Sequence, residues 1–322
     1  MTVCINAFGE YGATPNDADY PLQWHLPKIG MPAVWDMLTP GTCIDIAVID
    51  SGLQIDHPDI GNGTDGYNTL WANTGEDAWT DPNNPATGNG VDNDGNGLID
   101  DWRGFDFDGN DNNIVSTVDH GTRVAGIVAA KTNNASRGVA GVGGGWAGQG
   151  FRIMGLRVGD VPNNGVLDDA IIYAVNEGAD VIQLSLSVPQ TAAIDAAIAF
   201  AVANGVPVVC ASGNNYTGTV NYPARNVNVI AVGSTETNDT KSDFSNWGTE
   251  MFIAAPGRGI RSTTLTSTYG NQDGTSFAAP QVSATIGLLH QINPSLTIAQ
   301  FRNILGCFQH SGKMFHPRVV SL

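Results

Sequence analysis

Asp50, His120 and Ser276 occupy places in this 322-residue chain where side chains can do covalent chemistry. Asp50 ends the apolar run "CIDIAVID" (43–50), just before Ser51-Gly52. His120 opens "HGTRVAGIVAAKT" (120–132), and Ser276 opens the run inside "DGTSFAAPQVSA" (273–284). Singly, each has an ordinary explanation as a turn residue, a local hydrogen bonder or a helix cap. Together they supply what nucleophilic catalysis requires. A serine hydroxyl is a poor nucleophile until an imidazole takes its proton, and the imidazole needs a carboxylate to fix its tautomer and stabilise its charge.

The elements that must position these groups are legible as alternating runs. "CIDIAVID", "FRIMGLRV" (151–158), "DVIQLSL", "VPVVCAS" and "NVIAVGS" read as buried strands. "HGTRVAGIVAAKT", "VLDDAIIYAVNEGA" (166–179), "TAAIDAAIAFAVANG", a long stretch from about 275 to 292 and "TIAQFRNIL" read as helices. Nearly continuous apolar strands alternating with helices predict an α/β fold in three layers, a central, mostly parallel sheet covered by helices on both faces. In such a sheet, reactive groups gather at the carboxyl ends of strands and the starts of helices. The expected organisation is a single domain over 1–322 with an N-terminal arm at 1–19 and an Asp/Asn/Gly-rich insertion at 61–113. A segment of that length with little periodicity is functional or held by something.

Composition narrows the partners. With 31 acidic and 14 basic residues the net charge is −17, which repels phosphate backbones and excludes nucleic acid as the natural partner. No run of about 18 apolar residues occurs, so no membrane span is expected. The first residues, "MTVCINAFGEYG", lack a basic start and a long apolar stretch, so no signal peptide is visible; a leader removed from ahead of residue 1 stays open. Cys4, Cys43, Cys210 and Cys307 lack CxxC spacing, which argues against zinc and leaves disulfides undecided.

"AVIDSGLQIDHPDI", "HGTRVAGIVAA" and "DGTSFAAPQVSA" resemble the three signature segments of the subtilisin-like serine proteases, the subtilases, in the chain order Asp, His, Ser. "QWHL" (23–26) and the Arg of "HGTRVAG" are similar to the kexin-like branch, with far less specificity. The resemblance implies that Asp50 orients, His120 is the general base and acid, and Ser276 attacks the scissile carbonyl. "VVCASGNN" matches the family's strand and Gly-Asn, which makes the Asn214 side chain one oxyanion donor and the Ser276 N–H the other. Gly213 keeps the approach open. "QLSLSV" (183–188), with Ser185, Leu186 and Ser187, resembles the segment that pairs with extended substrate; Ser187 and Val188 stand where many relatives have two glycines, narrowing the cleft. "NYPAR" (221–225) matches the far wall of the primary specificity pocket, with Asn221 at its turn. Phe277 replaces a common Met and Gln281 a common His. The implied partners are protein or peptide substrates, with a propeptide or protein inhibitor as further partners. The implied location is extracellular, with an intracellular one left open.

The insertion carries its own pattern. "VDNDGNGLIDDW" (91–102) puts Asp92, Asp94, Asn96, Gly97 and Asp100 at positions 1, 3, 5, 6 and 9 of a Ca2+ loop, where alternating oxygens face one hard cation. Position 12 is Arg103 instead of Glu, so this is no regular EF-hand, and Asp101 or Asp106 must contribute; a solvated loop is the plain alternative. Such insertions bind calcium in a subset of subtilases. The resemblance adds a second site, with Asp59 after "DHP" and Asn134 in "TNNASRGVAGV" as ligands. Two rival functions are weighed against the peptidase. A catalytically dead scaffold is disfavoured because all four catalytic positions are filled, and a sedolisin-like acid peptidase because that family lacks the "HGT" histidine.

Overall fold

The computed structural model describes residues 14–37, 43–61, 69–134, 137–146 and 150–309. Most of the N-terminal arm, Cys4, residues 62–68 of the insertion and the tail after 309 lie outside the described residues. Seven strands form one sheet, with each neighbouring pair parallel. They are β1 (Asp45–Asp50), β2 (Gly104–Asp106), β3 (Arg152–Arg157), β4 (Val181–Leu184), β5 (Val208–Ala211), β6 (Ile230–Thr235) and β7 (Ile253–Pro256), ordered β2-β3-β1-β4-β5-β6-β7. An antiparallel ribbon of β8 (Ile260–Thr264) and β9 (Thr268–Gln272) stands apart. The helices are α1 (His25–Lys28), α2 (Met31–Met37), α3 (His120–Ala129), α4 (Leu167–Asn176), α5 (Ala192–Ala203), α6 (Thr275–Ile292) and α7 (Ile298–Gln309).

Strand β1 shows why its sequence is apolar throughout. Ile46 and Val48 pack into a core with Val124 and Val128 of α3 and Ala278 and Val282 of α6. Ala47 and Ile49 point the other way, into a core with Leu167 and Ile171 of α4 and Ile194 and Ile198 of α5. Both faces are buried, so alternation is lost and every position from Ile46 to Ile49 is hydrophobic, between Asp45 and Asp50 at the ends. Each fully buried Ile or Val of this kind contributes about 1.5–3 kcal/mol. The three layers expected from the sequence are those observed.

The topology creates the crevice. From β1 the chain runs through the insertion and edge strand β2 to α3 on one face, and from β4 it leaves to α5 on the other, although β1 and β4 are neighbours. Carboxyl ends of adjacent strands whose connections diverge open a ligand-sized cleft. Asp50 ends β1, Ser185 follows β4, and α6 brings Ser276 to the same place.

Some elements differ from the sequence expectation. The helix read over 120–132 stops at Ala129, because the Lys131 N–H turns away to the carbonyl of Asp59. The insertion is not wholly irregular: Leu70 bridges to Ile153, and β2 joins the sheet edge beside β3. Gly104 makes that junction with φ +112°, and a Cβ there would lie 2.0 Å from the Gly155 carbonyl oxygen. Cys43, Cys210 and Cys307 are free, and Cys210 is buried.

Candidate active site

Asp50 is buried, and one of its carboxylate oxygens, Oδ1, lies 2.7 Å from both Nδ1 of His120 and the backbone N–H of Ser51. The bond to Asp50 makes Nδ1 the protonated nitrogen, leaving Nε2 as the base. The histidine is placed by close backbone packing. Gly121 lies so near the Gly52 carbonyl that a Cβ would come within 2.2 Å of it, and its N–H bonds Ser51 Oγ at 3.1 Å. Gly52 itself has φ +99°, with no room for a side chain beside the Ile114 carbonyl. Burial, the largest influence on His120, pushes its pKa down; the charge and hydrogen bond of Asp50, with Asp119 behind, outweigh it and leave the pKa above the ordinary imidazole value.

Ser276 begins where α6 begins, and Pro280 explains the odd composition of that helix. Residue 280 has no N–H to give to the carbonyl four residues back, which is that of Ser276. The hydroxyl of Ser185 fills the vacancy, donating to the Ser276 carbonyl at 2.7 Å. Ser185 Oγ in turn accepts from Gln183 Nε2 at 2.9 Å, and Gln183 Oε1 accepts from Ser283. All three supporting side chains are buried. A polar chain therefore ties the nucleophile's backbone to β4 and to the middle of α6. Ser276 Oγ donates to the Ser185 carbonyl in a long 3.4 Å bond, and no bond joins it to His120 in this rotamer. The Phe277 ring packs on the His120 ring, centroids 5.6 Å apart. Gln281 is buried and donates to the carbonyls of Pro256 and Phe277.

Asn214, after β5, is oriented by Thr275. The N–H and Oγ1–H of Thr275 both donate to Asn214 Oδ1 at 2.9 Å, which turns the Nδ2 protons toward the cleft. The N–H groups of a helix's first residues have no intrahelical acceptor, so the Ser276 N–H is available as well. Asp50, His120, Ser185, Leu186, Ser187, Gly213, Asn214, Asn221 and Ser276 line a single cavity of about 480 Å³. Among the expected substrate-binding residues, Ser185 uses its side chain on the nucleophile's backbone, whereas Asn221 Nδ2 donates directly to Ser187 Oγ at 3.1 Å.

Two acidic regions lie outside the cleft. Asp59 is fully buried; Oδ1 accepts from Asn134 Nδ2 at 2.7 Å and Oδ2 from the Val139 N–H at 3.0 Å. Asp17, which the sequence reading missed, joins them. Its Oδ2 accepts the Asn133 N–H, while its Oδ1 and the Oδ1 of Asn134 are buried without a hydrogen-bond partner. Burial first, and Asp59 as well, raise the Asp17 pKa to about 6. In the insertion, one ligand oxygen each from Glu76, Asp92 and Asp94 lies within 4.8 Å of the others. Glu76 was also missed; its Oε1 accepts the Asn93 and Asp94 N–H groups and its Oε2 is buried without a partner. Asn96 bridges Asp94 and Asp101 through Nδ2. Asp101 is buried under the Tyr173 hydroxyl and the Asn73 amide. The other two expected ligands are not brought to this cluster. Asp100 accepts the Asn89 and Gly90 N–H groups, and Asp106 pairs with Arg157.

The comparisons with known proteins agree with one another. The family model described as the subtilase family matches residues 41–306. The chain is 36% identical to thermitase of Thermoactinomyces vulgaris over 282 residues, covering 86% of this chain and 85% of thermitase. It is 33% identical to subtilisin Savinase of Lederbergia lenta, covering 88% and 89%. It is 35% identical to halolysin of Haloferax mediterranei, of which it spans only 50%. Among solved structures it is similar to a protease of Pseudoalteromonas arctica PAMC 21717, with TM-score 0.69, 30% identity and 92% of each chain covered.

Proposed function

This chain belongs to the subtilase family, a subtilisin-type serine hydrolase, and we propose that it is an endopeptidase working through Asp50, His120 and Ser276 with Asn214 as oxyanion donor. The observation that carries the reading is the short Asp50–His120 contact in one cavity with Ser276. Rotation about the Ser276 Cα–Cβ bond moves Oγ from the Ser185 carbonyl to His120 Nε2. Nε2 takes the hydroxyl proton as Oγ bonds the scissile carbonyl carbon, and the new oxyanion takes hydrogen bonds from Asn214 Nδ2 and the Ser276 N–H. The imidazolium then protonates the leaving amine, the C–N bond breaks, and an acyl ester remains on Ser276. Water, deprotonated by the same imidazole, releases the acid and restores the enzyme. Substrates are extended peptide segments, and a propeptide or protein inhibitor would occupy the same cleft. Extracellular proteins are the proposed targets.

The direct test is an acyl-enzyme trap. Mixing with a p-nitrophenyl ester should give a burst of one p-nitrophenol per protein, and peptide mapping should place the acyl mass on Ser276. A linear release with no adduct would contradict the reading. Asn214→Ala should lower kcat by about 10²–10³ with little change in KM, the loss found when a subtilisin loses this kind of donor. Steady-state hydrolysis of a peptide p-nitroanilide measures the split. Because His120 must be neutral to act and its pKa is raised, kcat/KM should fall as pH drops through a value above the ordinary imidazole range. A pH–rate profile checks this; full activity near pH 4 would favour carboxylate chemistry instead.

Calcium is the cation that both acidic regions fit. Orphaned buried oxygens of Asp17 and Asn134 lie in the Asp59 region, and that of Glu76 belongs to the Asp92–Asp94 cluster, with oxygen the only donor element. The ion would supply charge neutralisation and a restraint on the two loops.

A further inference from the structure

We infer that Arg157 is a positioning residue for the Asp50–His120 pair, and that the Asp/Asn/Gly-rich insertion reaches the active site through it. The inference rests on the endopeptidase reading of the cleft. Ser51 touches both partners of the pair. Its N–H donates to Asp50 Oδ1 at 2.7 Å, the oxygen that also meets His120, and its Oγ accepts the N–H of Gly121 at 3.1 Å. The place of Ser51 therefore sets the place of the carboxylate and of the first turn of α3. The end of β3 holds this stretch. The Val158 N–H donates to the Asp50 carbonyl at 2.9 Å, and Arg157 Nε donates to the Ser51 carbonyl at 3.2 Å. The arginine stem lies against Gly52, where a Cβ would come within 2.9 Å of Arg157 Cδ.

The guanidinium is itself anchored. Nη1 donates to Asp106 Oδ2, and Nη2 donates to Asp160 Oδ1 at 3.0 Å. Asp106 belongs to β2, the edge strand inside the insertion, and both it and Arg157 are largely buried. Its other oxygen accepts the N–H groups of Asp108 and Gly109, each at 3.0 Å, so the anchor is rigid. Asp160 Oδ2 accepts the hydroxyl of Thr117, in the segment that leads into α3, at 3.1 Å. A planar guanidinium donates in several fixed directions at once, whereas an ammonium is a point charge on a flexible stem. A lysine here would keep a charge for the two carboxylates and lose the Nε arm that holds Ser51. The same two strands offer a comparison. Asp45 stands opposite Arg152 where β1 and β3 begin, as Asp50 stands opposite Arg157 where they end. Arg152 binds Asp45 through Nε and Nη2, each at 2.5 Å, and neither residue lines the cavity.

The test compares Arg157→Lys with Arg152→Lys on a peptide p-nitroanilide, with a melting curve for each. Arg157→Lys should lower kcat by about 10–10²-fold, the scale of a slightly misplaced reacting group, with KM changed by less than about twofold. The acid limb of its pH–rate profile should also move to lower pH. Burial and Arg123 press the His120 pKa down, Asp50 and Asp119 hold it up, and a looser Asp50 contact weakens that hold. Arg152→Lys should keep the wild-type kcat and acid limb, whatever its melting temperature. Asp106→Asn leaves the arginine and removes one anchor, so it should shift both readouts the same way by a smaller factor. An unchanged kcat or an unmoved acid limb in Arg157→Lys overturns the inference; if that variant does not fold, the same result in Asp106→Asn does so. An equal loss in Arg152→Lys, or a loss confined to KM, overturns it as well. Each of these results leaves the protease reading intact, because the wild type still cleaves the substrate and acylates Ser276. A wild type that does neither overturns both.

Discussion

Ser276→Ala should lower kcat for a peptide p-nitroanilide by about six orders of magnitude, the loss seen when a subtilisin is deprived of its nucleophile. The melting temperature and substrate affinity should stay close to wild type. The size follows from the division of labour in the cleft. Without Oγ there is no acyl ester, and His120 and Asp50 have no proton transfer to perform, so the triad's contribution vanishes as a unit. What remains is the stabilisation offered by Asn214 and the helix amide to a direct attack by water, roughly 10³–10⁴ over the uncatalysed rate. Stability should hardly move, because Oγ makes only one long bond, to the Ser185 carbonyl, and the Ser185 hydroxyl bonds the backbone of residue 276 whatever its side chain. The variant should therefore still bind peptides and inhibitors. A catalytically idle scaffold predicts instead no measurable difference between the two proteins.

Chelation should produce the second large effect. An ion held at a thousand times its dissociation constant adds about 4 kcal/mol to folding, and in a domain of this size about 1 kcal/mol corresponds to 2–4 °C. Removal of calcium by EDTA is thus expected to lower the melting temperature by on the order of 10 °C, and excess calcium should restore it. The physical source is the buried acid. Asp17 and Asp59 crowd one region; burial, together with Asp59, raises the Asp17 pKa to about 6, a penalty on its charge that a divalent ion offsets. Asp17→Asn and Glu76→Gln address the two regions separately, and each should shrink the calcium-dependent shift without abolishing it. Identical melting curves with and without EDTA would count against both assignments.

How far the sequence carried these conclusions varied with the range of the interactions. Strands buried on both faces, such as 45–50 and 208–211, announce themselves as unbroken apolar runs. The motifs around Asp50, His120 and Ser276 are local, so their order and their places at strand and helix ends were legible. The short β2 was hidden inside the insertion because three residues, Gly-Phe-Asp, have no periodicity; its pairing with β3 makes it a strand. The β8–β9 ribbon was missed for a related reason, since its Ser, Thr, Asn and Gln residues leave little apolar alternation. Asp17 and Glu76 gave no signal at all. Asp17 acquires meaning only beside Asn133 and Asp59, and Glu76 only where its loop folds over Asn93 and Asp94. Conversely, Asp100 fits position 9 in the string, yet its carboxylate accepts the N–H groups of Asn89 and Gly90, at the far end of the loop, and is not brought to the Glu76–Asp92–Asp94 cluster. The role of Ser185 became clear only with Pro280, whose missing N–H leaves the carbonyl that Ser185 satisfies.

The central claim is that Asp50 and His120 together activate one serine. Covalent labelling with phenylmethylsulfonyl fluoride, followed by intact mass and peptide mapping, tests it most directly. A single adduct on Ser276 is expected, and its formation should slow by about 10⁴-fold or more, the loss from removing a triad partner, in His120→Ala and Asp50→Asn. Labelling of another residue, or of Ser276 at an unchanged rate in both variants, would contradict the account.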